Sequence, residues 1–103
     1  MEGLFRITAV RQSTYPDLME KYENVLAVAC PLQVGQVFLS DGLIKPDGLC
    51  DSFWETLLPF LRKWREGIEE PIQGWMKDSR ALLLSCNDGF RPMSFLIERL
   101  EEK

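Results

Sequence analysis

The stretch that decides the fold is Ala81-Leu82-Leu83-Leu84-Ser85-Cys86-Asn87-Asp88-Gly89-Phe90-Arg91-Pro92-Met93-Ser94-Phe95-Leu96-Ile97-Glu98-Arg99-Leu100. Ala81 to Cys86 is a nearly continuous apolar run of strand length, which predicts a central strand covered on both faces. Asn87-Asp88-Gly89 is a strong turn signal. Met93 to Leu100 then alternates, with Phe95 and Ile97 against Ser94, Leu96 and Glu98, which is the period of a strand. Arg91-Pro92 delays the return, so the pair reads as a hairpin whose loop exceeds the tight two-residue form.

Working outward, Leu4 to Val10 reads as a first strand, with Phe5, Ile7 and Ala9 on one face. Ser13 and Thr14 offer a capping hydroxyl before Pro16, which suits the first turn of a short helix over Pro16 to Tyr22. Val25 to Cys30 is apolar but too short to classify. Gln36 to Ser40 alternates and reads as a second strand, followed by turns at Asp41-Gly42 and Pro46-Asp47-Gly48. Ser52-Phe53-Trp54-Glu55 has capping-box spacing, and Phe53, Leu57, Phe60, Leu61, Trp64 and Ile68 follow one helical stripe. Pro59 lacks the N–H that would bond back to Glu55, so it should kink or split that helix. Gly67 to Ser79 reads as a loop carrying Trp75. The order β-α-β-α-β-β predicts an α+β fold over residues 1–103 as a single domain. A small, mostly antiparallel sheet would carry two or three helices on one face and end in a C-terminal β-hairpin.

Composition removes whole mechanisms. The 103 residues are 46% hydrophobic and 27% charged, a globular balance with enough apolar surface for one core. Twelve basic against sixteen acidic residues give a net charge of −4, which argues against nucleic acid and anionic membranes as partners. With no histidine, neither a Ser-His-Asp nor a Cys-His relay can be built. Three cysteines, Cys30, Cys50 and Cys86, are an odd number without a C-x-x-C pair, and the start of the chain lacks a secretory signal pattern. Both features predict a cytoplasmic protein with reduced thiols. Closed thiolate sites want four ligands, so no metal and no cofactor is expected.

Two constellations carry the candidate chemistry. Asp88 and Arg91, at the end of a buried strand, could act as base and bidentate clamp on an anionic or carbonyl ligand. The plainer alternative has Asp88 holding its own turn and Arg91 pairing with it. Asp41 and Asp47, from the earlier turns, would complete the catalytic set if the turns converge. Phe53, Trp54, Trp75 and Cys86 would line an aromatic substrate pocket, although a helical aromatic stripe also serves as plain core.

A resemblance runs from Cys30 to Arg99. Cys30-Pro31-Leu32, Gly35-Gln36-Val37-Phe38, Pro46-Asp47-Gly48-Leu49-Cys50, Trp75-Met76-Lys77-Asp78 and Cys86-Asn87-Asp88-Gly89-Phe90-Arg91-Pro92 together resemble a family of small microbial proteins whose activity is unassigned. The sequence departs from that pattern at Ser85, where the family usually carries a second cysteine, and at Ser52, where it tends to have tryptophan. Glu69-Glu70-Pro71 also replaces a Gly-Gly loop.

Three functional readings follow. The first is a small cofactor-independent enzyme of cyclase, isomerase or lyase type, acting on a small organic molecule. The second is a non-catalytic accessory or protein-interaction module, using Trp75 and the final hairpin as contact surface. The third is a cysteine-based metal or redox protein. Self-association is compatible with each of them.

Overall fold

The computed structural model describes residues 4–25 and 31–100, so Cys30 and most of the Val25–Cys30 run lie outside the described residues. The chain is α+β, in the order β1 (Phe5–Gln12), α1 (Pro16–Tyr22), β2 (Val37–Ser40), α2 (Asp51–Arg65), β3 (Ala81–Ser85) and β4 (Met93–Arg99). The strands form a four-stranded sheet in the order β2-β1-β4-β3, antiparallel at every pairing.

Alternation along each strand divides the sheet into two unlike faces. Phe5, Ile7 and Ala9 of β1, Leu82 of β3, and Met93, Phe95 and Ile97 of β4 are buried together. Phe53, Leu57, Leu61 and Trp64 of α2 enter the same cluster, at the helical spacing that puts them on one stripe. Phe53 stacks on Phe95 with centroids 4.1 Å apart, and Phe5 stacks on Trp64 at 5.7 Å. The opposite face carries Val37 and Leu39 of β2 and Leu83 of β3, all exposed.

Several expectations are corrected. β3 is an edge strand, not a central one, because β4 lies between it and β1. Its apolar run is covered on one side only: Leu82 is buried while Leu83 is 43% exposed. The capping box at Ser52 does not form, because α2 starts earlier with Cys50 at the N-cap and no side-chain cap bond. Ser52 instead sits in the first turn, where its carbonyl accepts a bond from Thr56 Oγ1. The helix runs through Pro59 without splitting, with Leu57 and Leu61 anchoring the turns on either side. It ends at Arg65, so Ile68 falls beyond the stripe and is exposed, and Phe60 is only partly buried. α1 has the predicted bounds, but Tyr15 is its N-cap without a side-chain bond, and it buries no residue.

Candidate functional site

The two Asp-Gly turns use one device. At the hairpin tip, Asp88 Oδ1 accepts the backbone N–H of Phe90 at 2.8 Å and of Arg91 at 3.1 Å. After β2, Asp41 Oδ1 accepts the N–H of Leu43 at 2.8 Å and of Ile44 at 3.1 Å. Each carboxylate thus ties down the residues two and three places ahead, which is the local chemistry that makes aspartate a turn former. Those backbone donors hold the Asp41 carboxyl below its ordinary pKa.

Arg91 does not act as a free clamp. Its guanidinium forks onto Glu23, Nη1 to Oε2 at 2.7 Å and Nη2 to Oε1 at 3.0 Å. That bidentate bond, more than the nearby charge of Asp88, raises the arginine pKa further. The pair joins the residue after α1 to the hairpin loop. Backbone bonds from Ser13 N–H to Pro92 O and from Tyr15 N–H to Phe90 O strengthen the same junction. The sequence reading missed Glu23 because its partner is 68 residues away, where no local spacing signals it.

The expected convergence of the turns is corrected by the strand register. Ser40 pairs with Phe5, and Phe5 pairs with Arg99, so Asp41 lies at the Arg99 end of β4. Asp88 and Arg91 precede Met93, at the other end of that seven-residue strand. A strand of that length spans about 20 Å, far beyond hydrogen-bond reach. Asp41 and Asp47 both line an open cleft of about 340 Å³, together with Leu4, Leu39, Ile44 and Lys45. Lys45 there donates to the Leu49 carbonyl and lies 3.5 Å from Asp51.

The aromatic candidates divide. Phe53 is fully buried, so its ring is core and not pocket lining. Trp54 is partly buried against that core, and Trp75 stands 51% exposed in the loop before β3. Cys86 is half-buried; its Sγ accepts the Met93 N–H at 3.2 Å and its own N–H reaches the Met93 carbonyl. Cys50 Sγ lies 3.9 Å from Ser52 Oγ. Among the described residues, no three Cys, Asp or Glu side chains gather as a metal set.

A set of exposed apolar side chains lies on the outer face of the sheet. Val10, Val37, Leu39 and Leu83 are 40–57% exposed there. Between them runs the cross-strand ion pair of Arg6 and Glu98, with Nε to Oε1 at 3.0 Å. The alternation of Val37 and Leu39 against Phe38, and of Leu96 against Phe95 and Ile97, already carried this signal in the sequence. No helix among the described residues is long and apolar enough to cross a membrane. Comparisons with protein-family models, curated proteins and solved structures find no match.

Proposed function

We propose that this chain is a non-catalytic protein-interaction module whose contact surface is the outer face of its sheet. The observation that carries this reading is the row of half-exposed aliphatic side chains, Val37, Leu39 and Leu83, on the face turned away from α2. Clustered apolar exposure rimmed by polar groups is the usual mark of an interaction surface. The Asp41 carboxylate points the same way, since the N–H groups of Leu43 and Ile44 stabilise its anion and so weaken it as a general base. Free thiols at Cys50 and Cys86 support a reducing compartment such as the cytoplasm. The test is photo-crosslinking in cells, with a photoreactive residue placed at Leu83 or Leu39 and, as control, at Glu55 on the exposed side of α2. Adducts confined to the two sheet positions are expected. Their absence, or equal labelling from Glu55, overturns the reading.

One observation favours the cofactor-free enzyme instead: the cleft that Asp41 and Asp47 share with Lys45. In that reading Asp47, exposed in the cleft and making no turn bond of its own among the described residues, is the candidate base, and Asp41, held by its turn, is not. A ligand screen by thermal shift decides it. A compound that stabilises the wild type and not Asp47→Asn supports the enzyme, whereas stabilisation independent of Asp47 removes it.

A further inference from the structure

We infer that the partner of the outer face is a second copy of this chain, packed face to face about a two-fold axis. The inference rests on the reading of that face as a contact surface, and its support is the pattern of residues that the register places there.

Two cross-strand rows define the middle of the face. One runs Leu39, Arg6, Glu98, Ala81 from β2 to β3, and the other runs Val37, Thr8, Leu96, Leu83. In the strand order β2-β1-β4-β3 the middle of the sheet falls between β1 and β4. A two-fold axis parallel to the strands and above that line leaves each residue at its own level along the strand. It sets β1 over the β4 of the other copy and β2 over its β3. Stacked sheets pack about 10 Å apart with strands within about 30° of alignment, so residues of one level meet.

The resulting contacts match in charge and in size. Arg6 lies over the partner's Glu98, and Glu98 over the partner's Arg6. The intramolecular bond uses one N–H of Arg6, and a guanidinium carries five, so the same arginine can bind a carboxylate on each side. Leu39, 57% exposed, meets the small Ala81 of the partner subunit, and Val37 meets the partner's Leu83. Thr8 meets the partner's Leu96. A closed two-fold contact must be self-complementary in this way, because every pair occurs twice. A neutral apolar face alone would not select a second copy. The alternation of cation and anion across the central line does.

The area sets the strength. Four strands at about 4.8 Å spacing and about 20 Å of length give a flat footprint near 400 Å² per copy. Side-chain relief raises the total buried area towards the roughly 1,000 Å² at which a specific contact becomes stable. The dimer is therefore reversible and concentration-dependent, not obligate.

Sedimentation velocity over about 5 to 500 μM tests this directly, with circular dichroism showing that each variant folds. Wild type is expected to move from monomer to dimer within that range. Leu83→Lys, and independently Leu39→Lys, should raise the dissociation constant at least about tenfold. Charge reversal gives the sharper readout. Arg6→Glu alone leaves two anions on the face, and Glu98→Arg alone leaves two cations, so each should fail to self-associate. An equimolar mixture of the two variants should form a heterodimer with affinity near that of the wild type. A wild type that stays monomeric throughout overturns the inference. So does a dimer indifferent to Leu83→Lys and to the mixing of the charge variants, because it uses another surface. Neither outcome touches the contact-surface reading, in which a crosslinked adduct to a different protein at Leu83 would still mark the face.

Discussion

Phe53 offers the most direct test of how the residues of α2 divide between core and surface. Its side chain is fully buried and its ring lies 4.1 Å from that of Phe95. A buried aromatic removes about 150–250 Å² from water, which at about 25 cal/mol per Å² is worth roughly 4–6 kcal/mol as an upper bound. Measured truncations of buried phenylalanine cost about 3–5 kcal/mol, cavity included. For Phe53→Ala we expect a loss of about 4 kcal/mol. That is a large part of the roughly 5–15 kcal/mol available to a domain of this size. Phe53→Leu retains most of the volume and should cost about 1–2 kcal/mol, which keeps the test open if the alanine variant does not fold. Urea unfolding followed by tryptophan fluorescence reads both. Trp75→Ala is the counterpart: with about half of that residue exposed, the same arithmetic halves to roughly 2–3 kcal/mol as an upper bound, so its cost should fall clearly below that of Phe53→Ala. A Phe53→Ala cost below about 1 kcal/mol would refute the packing argument and return Phe53 to the list of pocket-lining residues.

Three further outcomes are expected. Gly42 has φ +86°, and a Cβ there would lie 2.8 Å from Arg65 Cδ and 3.0 Å from Phe5 Cε2. Gly42→Ala should therefore lower the melting temperature more than Gly35→Ala, where the positive φ is the sole penalty because nothing lies within 4 Å; equal shifts would contradict this. Asp88→Asn keeps an oxygen for the N–H groups of Phe90 and Arg91 and should leave stability nearly unchanged, while Asp88→Ala loses both bonds and should cost roughly 1–2 kcal/mol by urea unfolding. Asp41 has a depressed pKa when folded, so the unfolded chain binds more protons in acid. The stability Asp41 contributes is complete above the unfolded value and fades as pH falls from about 5 towards the folded pKa. Asp41→Asn should flatten that part of the stability–pH curve without abolishing it, because Asp78 is depressed too by the Arg80 N–H; an unchanged slope would refute the assignment.

Much of the fold was legible because it rests on local periodicity. Phe5, Ile7 and Ala9 mark the buried face of β1, and Phe95 and Ile97 that of β4, by simple alternation. Pro16 at the first helical position marked the start of α1. Strand order was not legible in the same way, since it depends on which distant segments pair. The run Ala81 to Leu84 looked central because four apolar residues in sequence normally imply cover on both sides. It lies at an edge, and Leu83 is exposed there on the face turned away from α2. The site was legible in its parts and not in its assembly. Each Asp-Gly turn was visible, but their separation along β4 and the distant partner of Arg91 were properties of the folded chain.

An aspartate before glycine draws attention as a catalytic candidate for the same reason that it makes a good turn. Its short side chain brings a charged acceptor close to several backbone donors, and the glycine lets the chain bend round it. These donors then decide what the carboxylate can do. At Asp41 the N–H groups of Leu43 and Ile44 stabilise the anion and lower its proton affinity. A general base working near neutral pH needs the opposite change, a carboxyl raised by burial or by a second negative charge. The Asp41 turn is thus tuned away from proton transfer by the bonds that form it. On the outer face Val37, Leu39 and Leu83 stand half-exposed with the Arg6–Glu98 pair between them, and it is this mixture of apolar and charged groups on which the proposed contact surface rests.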